Sequence, residues 1–390
     1  MKRILFLLLA AVVAVGASAV VPADSLYGKL RHSVGLDFRS GYIVPVHGFY
    51  SGENQAGKPV NTWLAGHLKY AFRFAPESRM GRLYPSAYQG LGVAFNSFGS
   101  SELGTPVSVY AFQGARIARL SSRLSLDYEW NFGAAFGWNE YNAQTNPFNK
   151  VIGSKINAYM NVGFLLNWQL DKDWSLQLGV EGTHFSNGNS NYPNRGLNTL
   201  GARIGVVRKL GGGEEEDAVG GDAGFDPHFS YDLIVYGAGK KRGVEYDGSP
   251  YIVSGTFGVV GLNFNPMYNV NRYFRAGASL DMKYDESANL AAHVAGVNGD
   301  DIRFFRPSFR EQMSVGLSAR VEFVMPIFSI NFGVGYNVLH KGHDTGGWYQ
   351  VLALKTHITP DFFLHTGYEL SRLHDPQNLM LGIGYRFHSR

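Results

Sequence analysis

The sequence has no cysteine in its 390 residues, and charged residues are scarce. Without cysteine the chain has no disulfide framework, no lipid-anchored N-terminal cysteine and no thiol catalysis. Asp, Glu, Lys and Arg make up only 17% of the chain, and the formal net charge is +4. Because the basic residues are scattered rather than arranged in a stripe, we expect no nucleic-acid partner.

Long apolar runs are also scarce. A continuous run from Ile4 to Val15 follows Lys2 and Arg3 and precedes the small-residue pattern that ends at Ala19. This order is typical of a secretory signal peptide, so we expect residues 1–19 to be removed. The run is too short to span about 30 Å of hydrocarbon as a helix, and polar residues interrupt the apolar stretches downstream.

Glycine and aromatic residues, by contrast, are abundant, with 49 Gly, 22 Tyr and 27 Phe. Much glycine, many aromatics and few charges fit a protein whose surface faces lipid and whose aromatic side chains lie at the two membrane interfaces.

Apolar and polar residues alternate over long stretches. From Leu124 to Trp138 the even positions are all apolar, whereas the odd positions include Ser, Asp, Glu, Asn and Gly. Phe328–Val338 and Leu379–Phe387 repeat the pattern, and the second of these resembles the assembly signal of outer-membrane barrels. A soluble β-sandwich also alternates, but long strands with glycine and amides on the polar face favour a barrel. The sequence therefore predicts an all-β fold, a transmembrane antiparallel β-barrel integral to the bacterial outer membrane.

About sixteen strands are expected, in two halves of about eight, from the alternation and the turn residues. The expected strands lie near 31–44, 60–75, 86–97, 105–118, 121–138, 155–169, 174–186, 197–210, 229–238, 249–263, 269–284, 311–325, 327–340, 347–358, 361–373 and 378–388.

The two halves echo each other, which indicates an internal duplication. Asn131-Phe132-Gly133 recurs as Asn331-Phe332-Gly333 in a corresponding strand. Residues 20–210 would form a first barrel region, 211–228 a glycine-rich acidic linker in the periplasm, and 229–390 a second, degenerate repeat that ends in the assembly-type strand. One barrel of about sixteen strands and two barrels of about eight both fit this pattern.

One pair of side chains stands out as a candidate site. His184 and Ser186 are two residues apart on an expected strand, so they project from the same face about 7 Å apart at the backbone. That face carries apolar residues in the rest of the strand and therefore faces lipid, as does Asn198 on the next strand. The seventh strand runs outward from the periplasm, so the pair lies near the outer leaflet, where polar groups on the lipid face are costly unless they have a function. A histidine in this position can take the serine proton while the serine attacks an ester.

These residues resemble the PagL-type lipid A 3-O-deacylases, a family that includes acyloxyacyl hydrolase-like outer-membrane β-barrels. The resemblance covers about residues 25–210, and its specific core is His184-Phe185-Ser186-Asn187 with Pro193-Asn194, Gly196-Leu197 and position 198. It implies an eight-stranded barrel with its site on the outer wall, Ser186 as nucleophile, His184 as general base and Asn187 as a group that holds the oxyanion. The family has an acid at the position that matches 198. Here Asn198 would orient His184 through its side-chain amide.

The expected function is that of an outer-membrane esterase that removes an ester-linked acyl chain from lipid A by a Ser-His mechanism. Its partners would be lipopolysaccharide and outer-membrane lipid, with no cofactor and no metal, since the segment His340–Asp344 is typical of a solvated loop. The alternative is a non-catalytic channel, transport or structural barrel that retains a relic site. The sequence leaves open which acyl chain is released, whether Asn198 permits turnover, the oligomeric state and the role of the second half.

Overall fold

The computed structural model describes residues 30–211, 224–246, 249–295, 303–373 and 375–389. The expected signal peptide at 1–19 and most of the expected linker, 212–223, lie outside these residues. In the part of the chain that is described, no helix is both long and apolar enough to cross a membrane.

Eight antiparallel strands of the first half close into a barrel. They are β1 (Leu30–Val44), β2 (Thr62–Phe74), β3 (Tyr88–Ser97), β4 (Gly104–Arg119), β5 (Leu124–Trp138), β6 (Ile156–Gln169), β7 (Trp174–Ser186) and β8 (Leu197–Leu210). The sheet is closed because β1 pairs with both β2 and β8. The strand bounds expected from the alternation agree with these to within a few residues.

Alternate residues of each strand face the lumen and the outer wall. In β1, Asp37 and Arg39 are buried, whereas Leu36 is 61% exposed and Phe38 is 54% exposed. Apolar side chains on the outside and charged ones inside are the arrangement of a membrane barrel, because only the outer wall meets hydrocarbon.

Paired charges fill the lumen of this first barrel. Arg39 Nη1 lies 2.9 Å from Glu181 Oε2. Glu129 accepts from Arg203 Nη1 at 2.7 Å and from Lys69 Nζ at 3.1 Å. Pairing offsets the cost of removing these charges from water. An eight-stranded barrel has an interior just wide enough for side chains to fill, which is what these residues do.

The second half forms another closed barrel of eight strands with two small hairpins outside it. In chain order the strands are β9 (His228–Lys240), β10 (Gly243–Tyr246), β11 (Ser249–Ile252), β12 (Phe257–Asn269), β13 (Phe274–Asp285), β14 (Val294–Ala295), β15 (Arg303–Phe304), β16 (Met313–Val324), β17 (Phe328–His340), β18 (Trp348–His357), β19 (Phe362–Ser371) and β20 (Asp375–His388). β10–β11 and β14–β15 are the hairpins, and β9 closes the barrel by pairing with β12 and β20. The fold class is thus confirmed with two small barrels, and the alternative of one large barrel is wrong.

The strand expected at 249–263 is wrong in its bounds. The chain first makes the β10–β11 hairpin, turns at Gly255 with φ +102°, and then follows β12 through Pro266 to Asn269. Proline normally ends or borders a strand because it lacks a donor N–H. Here the ladder between β12 and β13 is interrupted between Phe264 and Met267, so the missing donor at Pro266 is accommodated within a continuous strand.

Buried charges also pair inside the second barrel. Asp232 accepts from Arg386 Nε at 2.7 Å and from Lys355 Nζ at 2.7 Å, and Glu322 accepts from Arg386 Nη2 at 3.2 Å. All four residues are nearly inaccessible to solvent.

The chain divides into two compact units. The first holds the residues up to Asn139, Lys155–Phe185 and the segment from Leu197 through β8. The second holds Glu140–Ser154, Ser186–Gly196 and the residues from Gly224 onward, including the second barrel.

Candidate active site

Side chains of β7 alternate between the lumen and the outer wall up to the end of the strand. On one face Glu181 bonds Arg39, Thr183 accepts from Asn161 at 2.8 Å, and Phe185 is fully buried. These residues belong to the lumen. On the other face Val180 is 63% exposed and His184 is partly exposed, so His184 lies on the outer wall of the first barrel.

The connections between strands indicate on which side of the membrane β7 ends. Those after β1, β5 and β7 run over 45–61, 139–155 and 187–196. The connection after β3 is shorter, at 98–103. Those after β4 and β6 are the shortest, at 120–123 and 170–173, whereas the connection after β2 is long, at 75–87. Because outer-membrane barrels have short periplasmic turns and longer extracellular loops, we expect β7 to end on the extracellular side.

His184 is hydrogen-bonded across the β7–β8 ladder. It stands directly opposite Asn198 in the register, and its Nδ1 lies 2.6 Å from Asn198 Oδ1. An amide oxygen only accepts, so Nδ1 carries the hydrogen, and in a neutral imidazole Nε2 is then the unprotonated nitrogen. This tautomer is the one that a general base needs when it takes a proton through Nε2.

Ser186 is the last residue of β7 and shares its outward face with His184 by strand parity. Its side chain is nearly buried, at 5% exposure. Among the described residues the Ser186 hydroxyl makes no hydrogen bond, so the serine–histidine contact that proton transfer requires is not formed in this structure. Such contacts often tighten only when substrate binds.

Asn187 is part of a hydrogen-bonded loop within the second compact unit. Its backbone N–H donates to Asn194 Oδ1 at 3.0 Å, and its Nδ2 donates to Asn191 O at 3.0 Å. Asn191 Nδ2 in turn donates to Gly153 O. The backbone N–H of Asn187 is therefore engaged, and the second Nδ2 hydrogen is the donor that this residue has left for a ligand.

An aromatic cluster that strand alternation does not predict supports the end of β7 from inside the first barrel. The Phe185 ring lies 5.8 Å from Phe98, 5.2 Å from Trp138 and 5.4 Å from Tyr159 between ring centroids. These separations fall in the range of favourable aromatic packing. The cluster holds Phe185, which lies between His184 and Ser186. Its sequence signal is an aromatic residue at or next to the end of β3, β5 and β7.

No metal centre is formed by the residues that the structure describes, since no three His, Asp or Glu side chains gather as ligands. In the loop after β17, Asp344 Oδ2 accepts from Arg242 Nη2 at 2.6 Å and from the Asn289 N–H at 3.0 Å. Its carboxylate is thus used within the protein.

Two family models match the chain. "Lipid A 3-O-deacylase (PagL)" matches residues 110–207, and "Acyloxyacyl hydrolase, C-terminal domain" (PagL_C) matches residues 229–389. The chain belongs to the PagL family. It is accordingly a hydrolase of the lipid A deacylase class and an outer-membrane protein. The stretch matched by the PagL model contains His184, Ser186, Asn187 and Asn198.

No curated protein matches this PagL-family chain. Among solved structures it is similar to an outer-membrane channel from Pseudomonas putida F1, with 8% identity, a TM-score of 0.22, and coverage of 95% of this chain and 100% of the other. It is also similar to the siderophore receptor PirA from Acinetobacter baumannii, with 10% identity, a TM-score of 0.23, and coverage of 87% and 68%. Both are too distant to inform its function.

Proposed function

We propose that the protein removes an ester-linked acyl chain from lipid A with Ser186 as nucleophile and His184 as general base. The observation that carries the proposal is the His184 Nδ1–Asn198 Oδ1 hydrogen bond on the outer wall, two residues from a serine. A histidine held in its basic tautomer on a lipid-facing wall has no evident use in a purely structural barrel, where polar groups facing lipid are a cost.

The first step forms an acyl-enzyme. The Ser186 oxygen attacks the ester carbonyl carbon while its proton moves to His184 Nε2. The tetrahedral intermediate then expels the ester's alcohol oxygen on lipid A, which takes the proton from His184. In the second step water attacks the acyl-enzyme, His184 takes the water proton and returns it to Ser186, and a free fatty acid leaves.

Two amides would assist these steps. Asn198 would hold the imidazole through Nδ1 and stabilise the imidazolium that forms when Nε2 gains a proton. The remaining Nδ2 hydrogen of Asn187 would donate to the carbonyl oxygen as negative charge develops on it, which is where a single donor contributes most to the rate.

The location of the site fits this substrate. Lipid A forms the outer leaflet, and β7 ends on the extracellular side with His184 facing outward. A channel function is less well supported, since each closed sheet has only eight strands, a number at which the interior is just wide enough for side chains to fill.

The test is Ser186→Ala, with release of acyl chains from purified lipopolysaccharide measured by mass spectrometry of lipid A. We expect the variant to insert and close normally and to lose nearly all activity, since removing a buried hydroxyl that makes no hydrogen bond leaves no polar group without its partner. Ser40→Ala is the matched control, because Ser40 also faces outward from a strand of the first barrel. Release at the wild-type rate by Ser186→Ala would place the chemistry elsewhere, and no release by the wild type would favour the non-catalytic alternative.

A further inference from the structure

One outward-facing tyrosine of β19 is covered. Parity on this strand puts Phe363 and His365 in the lumen and Leu364 and Tyr368 on the outer wall. Leu364 is 43% exposed, as expected for the lipid-facing wall, but Tyr368 is only 5% exposed. A side chain that faces out of a barrel and is nevertheless buried must be covered by another part of the protein.

The covering segment is the one that follows Ser186. Gly188, with φ +62°, lies so close to the Tyr368 ring that a Cβ at position 188 would overlap it. The left-handed backbone and this close approach both call for glycine at 188. Gly188 and Tyr368 belong to the same compact unit.

A backbone hydrogen bond fixes the same segment a few residues on. The Lys241 N–H, just beyond β9, donates to Ser190 O at 2.9 Å. Nearby, Gly243 lies against the Tyr192 ring, where a Cβ would come within 3.0 Å of the ring. The segment 187–196 is thus held by residues from the second half of the chain as well as by its own amide hydrogen bonds.

We propose that Tyr368 is a positioning residue for the deacylase site, which it serves by packing against the segment that begins directly after Ser186. This inference rests on the proposed function. Ser186 ends β7, so beyond it no further ladder of that strand fixes the chain. The ring of Tyr368 acts on Gly188, two residues after the nucleophile. Because a misplacement of about 1 Å can lower a rate by about 10²-fold, a contact this near the nucleophile affects turnover.

The proposal also gives the second barrel a role. The corresponding strand of the second half, β19, has no serine two residues after a histidine. It ends at Ser371, and Arg372 follows. Its contribution to the reaction is then to supply Tyr368 and Lys241, which hold the segment, rather than a second set of reacting groups.

The experiment measures the mobility of the segment and the reaction separately. Because the chain has no cysteine, Ser190→Cys provides a single attachment point for a nitroxide spin label in the otherwise native, full-length protein. Tyr368→Ala removes the ring, and Tyr368→Phe retains the ring without the hydroxyl. Tyr385→Ala is the matched control, since Tyr385 faces outward from β20 and is 46% exposed.

We expect Tyr368→Ala to narrow the spin-label spectrum and to lower kcat about 10²-fold with a much smaller change in KM. Tyr368→Phe and Tyr385→Ala should match the unsubstituted protein in both measurements. If the barrel of the Tyr368→Ala variant does not close, Tyr368→Leu tests the same contact with a smaller loss of side-chain volume.

An unchanged spectrum in Tyr368→Ala would overturn the proposal whatever the activity, and so would a mobile segment with an unchanged kcat. Failure of the proposed function is recognised differently, by a Ser186→Ala variant that still releases acyl chains. In that case the spectrum alone decides whether Tyr368 fixes the segment.

Discussion

The hydrogen bond between His184 and Asn198 leads to a prediction about the rate. Where a carboxylate would hold the histidine of a catalytic triad, this protein has an amide at 2.6 Å from Nδ1. Asn198→Asp keeps the size of the side chain and the acceptor but adds a negative charge. We expect the variant to be faster than the wild type, because the charge stabilises the imidazolium that forms in the transition state.

The size of the gain follows from the single contact. A neutral hydrogen bond contributes about 1 kcal/mol, and one to a charged group about 1.5–3 kcal/mol. The difference, about 0.5–2 kcal/mol, corresponds to about a 2- to 30-fold increase in kcat/KM at 1.36 kcal/mol per tenfold. Asn198 is the second residue of β8, near the membrane interface, where a charge facing lipid costs only about 0–1 kcal/mol. The barrel should therefore still form.

The assay is the initial rate of fatty-acid release from lipopolysaccharide by purified protein in detergent. Asn198→Leu is the counterpart, since it has a similar volume and no acceptor, and loss of a neutral hydrogen bond should lower the rate by about 2- to 12-fold. If the Asp and Leu variants both react at the wild-type rate, residue 198 does not orient His184 and the mechanism is wrong in that step.

Three further changes test the fold around the site. Glu181→Gln should lower the free energy of unfolding by about 1–3 kcal/mol, because Arg39 loses a buried charged partner. It should leave deacylation unchanged because Glu181 faces the lumen, and a loss of activity would contradict that orientation. Val180→Arg, at the middle of β7 on the outer wall, should destabilise the barrel by about 2–4 kcal/mol in urea titrations in lipid vesicles, and no effect would mean that this face does not meet hydrocarbon. Asp232→Asn should destabilise the second barrel by about 3–5 kcal/mol because the buried cations Arg386 and Lys355 then share Glu322 in place of two carboxylates, visible as a lower temperature for the heat-induced gel-mobility shift.

Strand parity accounts for most of what the sequence could predict. Side chains two residues apart share a face, so the outward position of His184 and the inward position of Glu181 follow from the apolar pattern alone. The same rule placed Asn198 on the face of His184. Their direct contact required the register between β7 and β8, which the alternation does not specify but which pairs these two residues.

Features made by distant residues could not be predicted. The pattern gave no reason to carry a strand through Pro266, because the interruption of the ladder that accommodates it involves the register of β13. Burial of Tyr368 depends on a segment 180 residues earlier in the chain, and parity alone would have placed its ring in lipid. The hydrogen bonds of Asn187 within its loop likewise depend on backbone conformation rather than on residue type.

Closure of each sheet on its own first strand bears on how such a chain could arise. A sheet with an open edge invites pairing with other molecules, so a half-built large barrel would be prone to aggregate. Here β8 returns to β1 before β9 begins, and β20 returns to β9. Doubling one gene for an eight-stranded barrel would therefore yield two closed sheets at once, with no open-edged ancestor. One copy could then lose its reacting residues while the other kept them.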